Sequence, residues 1–191
     1  MCGRFYAPPI TIEELRSVVK DIEEELARKQ QTGEYGKESL IVPTLPTMAI
    51  TAEGAKVMTF GWKKAQKDMM LNARCETLTG KPMFVPAFRA GKRCILPATR
   101  FFEKKGLFAP INGQLMFMAG IFDNIGSQEY DQFLVITRDA DPVIAPYHHR
   151  MPLLLPSEEL RKAWLHSDTL AEELLDMPVD IPLKDIILIC D

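Results

Sequence analysis

Short β-rich segments, cut apart by proline and glycine, recur through the middle of the chain. Ser39–Val42, Thr47–Thr51 and Lys56–Trp62 are separated by Pro43, Pro46 and the Glu53-Gly54 turn. Arg93–Pro97, Gln114–Phe122 and Gln132–Thr137 continue the pattern, and Ile186–Ile189 closes it. No helical period alternates with these runs, which argues against parallel βαβ units. Helical signals gather towards the two ends instead. Thr11-Ile12-Glu13-Glu14 has the form of a capping box opening an amphipathic helix from about Ile12 to Lys29. Ser157 predicts a cap for a helix to about Leu165, Asp168 another to about Leu175, and a short helix fits Pro82–Arg89. The expectation is an α+β fold: a mostly antiparallel, barrel-like β-sheet core with a few peripheral helices.

With 191 residues, 47% apolar and 26% charged, one domain over 1–191 can bury a core. There is no apolar run near 18 residues and no leader of secretory type, so a cytoplasmic protein without a membrane partner is expected. Four cysteines without C-x-x-C spacing, beside three histidines, predict neither metal nor disulfides. Charge is unevenly spread: from Lys56 to Lys105 twelve Lys/Arg stand against three acidic residues, although the whole chain carries −3. A basic middle between acidic flanks suits a phosphate-bearing partner.

Chemistry concentrates in four places. Removal of Met1 would leave Cys2 with a free α-amine and a thiol on adjacent carbons, a pair that condenses with an aldehyde to a five-membered thiazolidine. Glu103 follows Phe101 and Phe102, whose rings could desolvate it and raise its pKa, while Lys104 pulls the other way. His148 can exchange a proton near neutral pH. Asn72 is a neutral donor and acceptor for a hydroxyl or carbonyl. Arg4, Arg74 and Arg150 stand within two residues of these groups as phosphate forks.

Met-Cys-Gly-Arg-Phe at 1–5, Asn-Ala-Arg-Cys-Glu-Thr at 72–77, Arg-Cys-Ile-Leu-Pro-Ala at 93–98 with Phe-Phe-Glu at 101–103, and His-His-Arg-Met-Pro at 148–152 occur in that order. Together they resemble the motifs of the SOS response-associated peptidase (SRAP) family. The resemblance implies a sensor of abasic sites in single-stranded DNA, working as a monomer without a cofactor and associated with the nucleoid when bound to DNA. It also implies catalytic roles for Cys2, Asn72, Glu103 and His148, with Cys2 as the crosslinking residue. Arg4, Arg74 and Arg150 would hold phosphates, and Trp62 would stack on an unpaired base. The peptidase label implies self-removal of residues preceding Cys2. Where the family has Gly-Phe-Tyr-Glu-Trp, this chain has Arg100-Phe101-Phe102-Glu103-Lys104. Two alternatives stay open: a cysteine peptidase using Cys2 and His148, and a single-stranded DNA-binding module without chemistry.

Overall fold

The computed structural model describes residues 2–9, 15, 37–63, 69–104, 106–110, 113–126 and 129–176, together with the backbone of 186–190. The expected helix from Ile12 to Lys29 lies outside the described residues except for Leu15, which is buried.

Five strands close on themselves. They are β3 (Pro46–Thr51), β4 (Gly54–Phe60), β8 (Arg93–Ala98), β11 (Met116–Asp123) and β12 (Gln132–Asp139), and they run β8-β3-β4-β12-β11 and back to β8. Four of the five seams are antiparallel; the β4–β12 seam is parallel and short, Thr59 opposite Gln132 and Phe60 opposite Phe133. Closure leaves no free edge in the ring. Alternation assigns the two faces of each strand to different cores. Phe133 and Val135 of β12 join Met58, Phe60, Leu96 and Met118, whereas Leu134 and Ile136 join Ala119, Ile121 and Trp164. Both faces are covered over most of β8, β11 and β12, which are buried almost throughout.

A second sheet runs β14 (Ile186–Cys190), β10 (Gly106–Pro110), β9 (Arg100–Glu103), β1 (Phe5–Ala7) and β2 (Ser39–Ile41). Its Phe5, Phe101 and Phe108 enter the same core as Phe60 and Phe133, with Phe5 edge-on to Phe60 at 5.8 Å. Three short strands complete the set: β5 (Trp62–Lys63), β6 (Met69–Met70) and β7 (Asn72–Arg74). β12 is used end to end. Its first half pairs with β11 and β4, and its second half with β7 and with β13 (Arg150–Pro152). The strands carrying Asn72 and Arg150 are thereby tied to one strand.

Helices α1 (Cys75–Leu78), α2 (Val85–Arg89), α3 (Glu158–His166) and α4 (Asp168–Asp176) cover the other core. As the sequence predicts, Ser157 caps α3, accepting from the Leu160 N–H. The Asp168 expectation is corrected: Ser167 Oγ accepts from the Leu170 N–H, and Asp168 belongs to the helix. Its carboxylate accepts instead from buried Arg93 at 2.8 Å, whose guanidinium also donates to the Trp164 and Phe88 carbonyls. The single strand expected over Lys56–Trp62 is two, because Gly61 (φ +98°) bends the chain where a Cβ would meet Met69 Sδ at 2.8 Å. No described helix is long and apolar enough to cross a membrane.

Candidate active site

Pairing of β1 with β9 sets Phe5 opposite Phe101 and lets the Phe102 N–H donate to the Arg4 carbonyl at 3.1 Å. The residues ahead of β1 are thus delivered alongside Glu103. Cys2 is fully buried in the aromatic core, and Glu103 is equally buried. Strand alternation puts Phe101 and Glu103 on the inward face. Phe102 points the other way, with the Arg4 guanidinium 4.1 Å above its ring. The desolvation expected from both rings therefore comes from the Phe101 side alone. The substitutions flanking this stretch fit without distortion at 100: only Thr44 and Lys104 among described non-glycine residues have positive φ. Arg100 lies over Tyr6 at 4.2 Å and pairs with Glu38, while Lys104 (φ 52°) turns the chain from β9 towards β10.

Asn72 heads β7, where parallel pairing sets it opposite Val135. Its Nδ2 donates to the Cys2 carbonyl at 2.9 Å. Its Oδ1 is buried with no hydrogen-bond partner among the described residues. Such an orphan costs about 1–3 kcal/mol and marks a place where a ligand donor would fit.

His148 sits on the turn between β12 and β13. Asp141 shapes that turn by accepting from the Val143 and Ile144 N–H groups, each at 3.0 Å. His148 Nδ1 lies 3.4 Å from Glu103 Oε2, while His149 is exposed, its ring tilted against that of His148 with centroids 4.4 Å apart. The first histidine of the pair is the one that meets the carboxyl. Cys2 and Asn72 are joined directly, and so are Glu103 and His148. The Cys2 backbone N–H links the two pairs, for it acts on the Glu103 carboxyl and favours its ionised form.

Burial pushes the Glu103 pKa above the usual carboxylate range, against the amino terminus, the Cys2 N–H and Lys104. Desolvation pulls His148 below its ordinary value, and the amino terminus, His149 and Lys104 act the same way against the Arg150 carbonyl. Burial thus penalises the charged form of each partner and brings the two groups' proton affinities towards one another. The Cys2 thiol is pushed far up, first by burial and then by the Glu103 charge, so it is held protonated. Burial also raises Cys94, and Cys75 reaches about 11. Among the described residues, no group of three or more His, Cys, Asp or Glu could hold a metal ion.

The basic and aromatic residues divide. Arg4, just ahead of β1 and two residues past Cys2, is exposed, and so is Arg74 at the end of β7, the strand that Asn72 begins. Trp62 differs from expectation. It is 3% exposed, packs on Phe84 and donates from Nε1 to the Gln132 carbonyl at 2.7 Å, so it is core and presents no face to a base. Arg150 differs too. Its side chain is 4% exposed and its fork is taken up by Glu76 at 2.6 and 2.9 Å, Asp139 at 2.6 Å and the Thr137 carbonyl at 2.6 Å. A guanidinium so engaged has little left for a phosphate. Sequence reasoning passed over Glu76 and Asp139; the only signal was the place of Glu76 inside the Asn72–Thr77 motif.

Residues 1–186 match the family described as SOS response associated peptidase (SRAP). The chain belongs to that family. It is 29% identical to the abasic site processing protein YoaM of Bacillus subtilis, over 92% of this chain and 83% of the relative. It is 28% identical to YedK of Escherichia coli, over 91% and 83%. HMCES of Gallus gallus, also called an abasic site processing protein, is 28% identical over 49% of this chain and 37% of its own. A solved protein from Bacteroides thetaiotaomicron has the same fold, with a TM-score of 0.74 at 24% identity over 98% and 90% of the two chains. A phage-related protein from Bordetella bronchiseptica, at 19% identity, has a TM-score of 0.73 over 100% and 94%.

Proposed function

We propose that this protein recognises abasic sites in single-stranded DNA and, once Met1 is removed, captures them covalently through Cys2. The observation that carries the reading is the meeting of four residues: Asn72 Nδ2 donates to the Cys2 carbonyl at 2.9 Å, Glu103 Oε2 lies 3.4 Å from His148 Nδ1, and the Cys2 nitrogen acts on the Glu103 carboxyl. That nitrogen becomes the α-amine when Met1 leaves, and a carboxyl raised by burial is suited to take its proton. The amine adds to the aldehyde of the open sugar, and the carbinolamine loses water to a Schiff base. The thiol then adds to the imine carbon, its proton passing to nitrogen, and the thiazolidine ring closes. Glu103 and His148 exchange the protons these steps need. Asn72 holds the Cys2 carbonyl through Nδ2 and offers Oδ1 to a sugar hydroxyl. Arg4 and Arg74 meet the phosphates on either side. The names of the relatives supply the lesion.

A protonated thiol suits this order, in which the amine reacts first. It does not suit a peptidase in which a Cys2 thiolate attacks a carbonyl, for burial and Glu103 both oppose thiolate formation. The test is intact-mass analysis of Met1-free protein with a single-stranded oligonucleotide carrying one abasic site, followed by a denaturing gel. One added oligonucleotide per chain is expected, absent from Cys2→Ser and from protein with a residue placed before Cys2. Met1-free protein that binds the oligonucleotide but forms no covalent species would leave a binding module without chemistry.

A further inference from the structure

We propose that Glu76 and Asp139 are positioning residues: they clasp the buried Arg150 guanidinium so that the Arg150 peptide stays against His148 Nδ1 and holds the imidazole towards Glu103. This rests on the reading above, in which His148 and Glu103 exchange protons.

The clasp joins three elements. Glu76 comes from α1, Asp139 from the end of β12 and Arg150 from the start of β13, where it pairs with Asp139 in register. The carboxylates are 46% and 77% exposed, yet both reach a guanidinium that is 4% exposed. The bidentate Glu76 contact and the Thr137 carbonyl fix the plane of the fork. Burial raises the Glu76 pKa, but the Arg150 hydrogen bonds and charge, with the Glu76 N–H and Cys75, outweigh it and leave that carboxyl below its ordinary value, which favours a charged Glu76–Arg150 pair.

The main chain of the clamped residue serves the histidine. The Arg150 N–H donates to His148 Nδ1 at 3.0 Å, and the Arg150 carbonyl lies 3.2 Å from the same nitrogen. An unprotonated Nδ1 therefore has a donor and a protonated one an acceptor, with Glu103 Oε2 at 3.4 Å as the exchange partner. Residue 150 need not move as the proton comes and goes. In the neutral ring its N–H selects the tautomer protonated at Nε2.

The variants are Glu76→Gln, the double variant Glu76→Gln/Asp139→Asn, and Arg150→Lys, which keeps the charge but loses the fork. Three quantities are read on each: the His148 tautomer from nitrogen-15 side-chain spectra above its titration, the crosslinking rate, and non-covalent binding of an undamaged single-stranded oligonucleotide across salt. The double variant and Arg150→Lys are expected to lose the Nε2–H preference and to crosslink roughly 10- to 100-fold more slowly. Affinity and salt slope should be unchanged. Glu76→Gln, which keeps an acceptor, should show the same effects more weakly and covers the case in which the other variants do not fold. An unchanged tautomer in folded variants overturns the proposal. So does tighter binding with a salt slope steeper by about one, which would mean that the freed Arg150 takes up a phosphate. If the wild type never crosslinks, the capture reading fails while the tautomer still decides whether the clasp positions His148.

Discussion

Replacing Glu103 with Gln should separate stability from chemistry. Glu103 is fully buried and its pKa is raised chiefly by that burial. A carboxyl whose folded pKa exceeds its unfolded value stabilises the fold fully below the unfolded value, about 4.3, and loses that contribution as pH rises through the folded one. Gln cannot ionise and escapes the loss. In protein retaining Met1, Glu103→Gln should therefore match the wild type near pH 4 and exceed it increasingly as pH rises. Relieving one functionally strained group is worth on the order of 1 kcal/mol, and for a domain of this size that is roughly 2–4 °C in Tm. In Met1-free protein the same change removes the proton acceptor at the Cys2 amine and should slow crosslinking by about 10²- to 10⁴-fold. Thermal melts from pH 4 to 9 and a time course of the covalent species read the two arms. A variant less stable than the wild type at every pH would refute the burial argument. One that crosslinks at the wild-type rate would refute the proton-transfer role.

Trp62→Phe should cost about 1–3 kcal/mol, because the Gln132 carbonyl loses its buried donor, and Trp62→Ala about 3–5 kcal/mol; urea melts read both, and a residue held in the core should leave the salt slope of DNA binding unchanged. Arg4→Ala and Arg74→Ala should each weaken binding and reduce that slope by about one, as measured by fluorescence anisotropy across salt. The buried thiols Cys2, Cys75 and Cys94, all raised by burial, should resist a disulfide reagent at pH 8 until urea unfolds the chain.

Local pattern reached far into this fold. Strands at Ser39, Pro46, Arg93, Met116 and Gln132 follow from β-branched and apolar runs cut by turn residues. The Ser157 cap follows from one hydroxyl ahead of an amphipathic run. The Lys56–Trp62 reading missed its break because Gly61 is demanded by Met69, which its immediate neighbours do not reveal. The motifs at Cys2, Asn72, Glu103 and His148 were legible as residue types and as a family pattern. Their mutual contacts were not, since β1 must find β9 across nearly the whole first half of the chain.

What the amino-acid order alone determined is the inventory: a Cys2 directly after Met1, a barrel-forming series of short strands, and a basic middle third. These depend on neighbours within a few residues, where propensity and alternation act. Only the tertiary structure decided that Trp62 is core, that the Arg150 fork is spent on Glu76 and Asp139, and that His148 rather than His149 meets Glu103. Each of those outcomes depends on which distant strand pairs with β12 or β9 and on how much water that pairing removes. Burial turns the same arginine from an exposed fork into a clasp, and lifts the pKa of the same glutamate above that of a surface carboxyl.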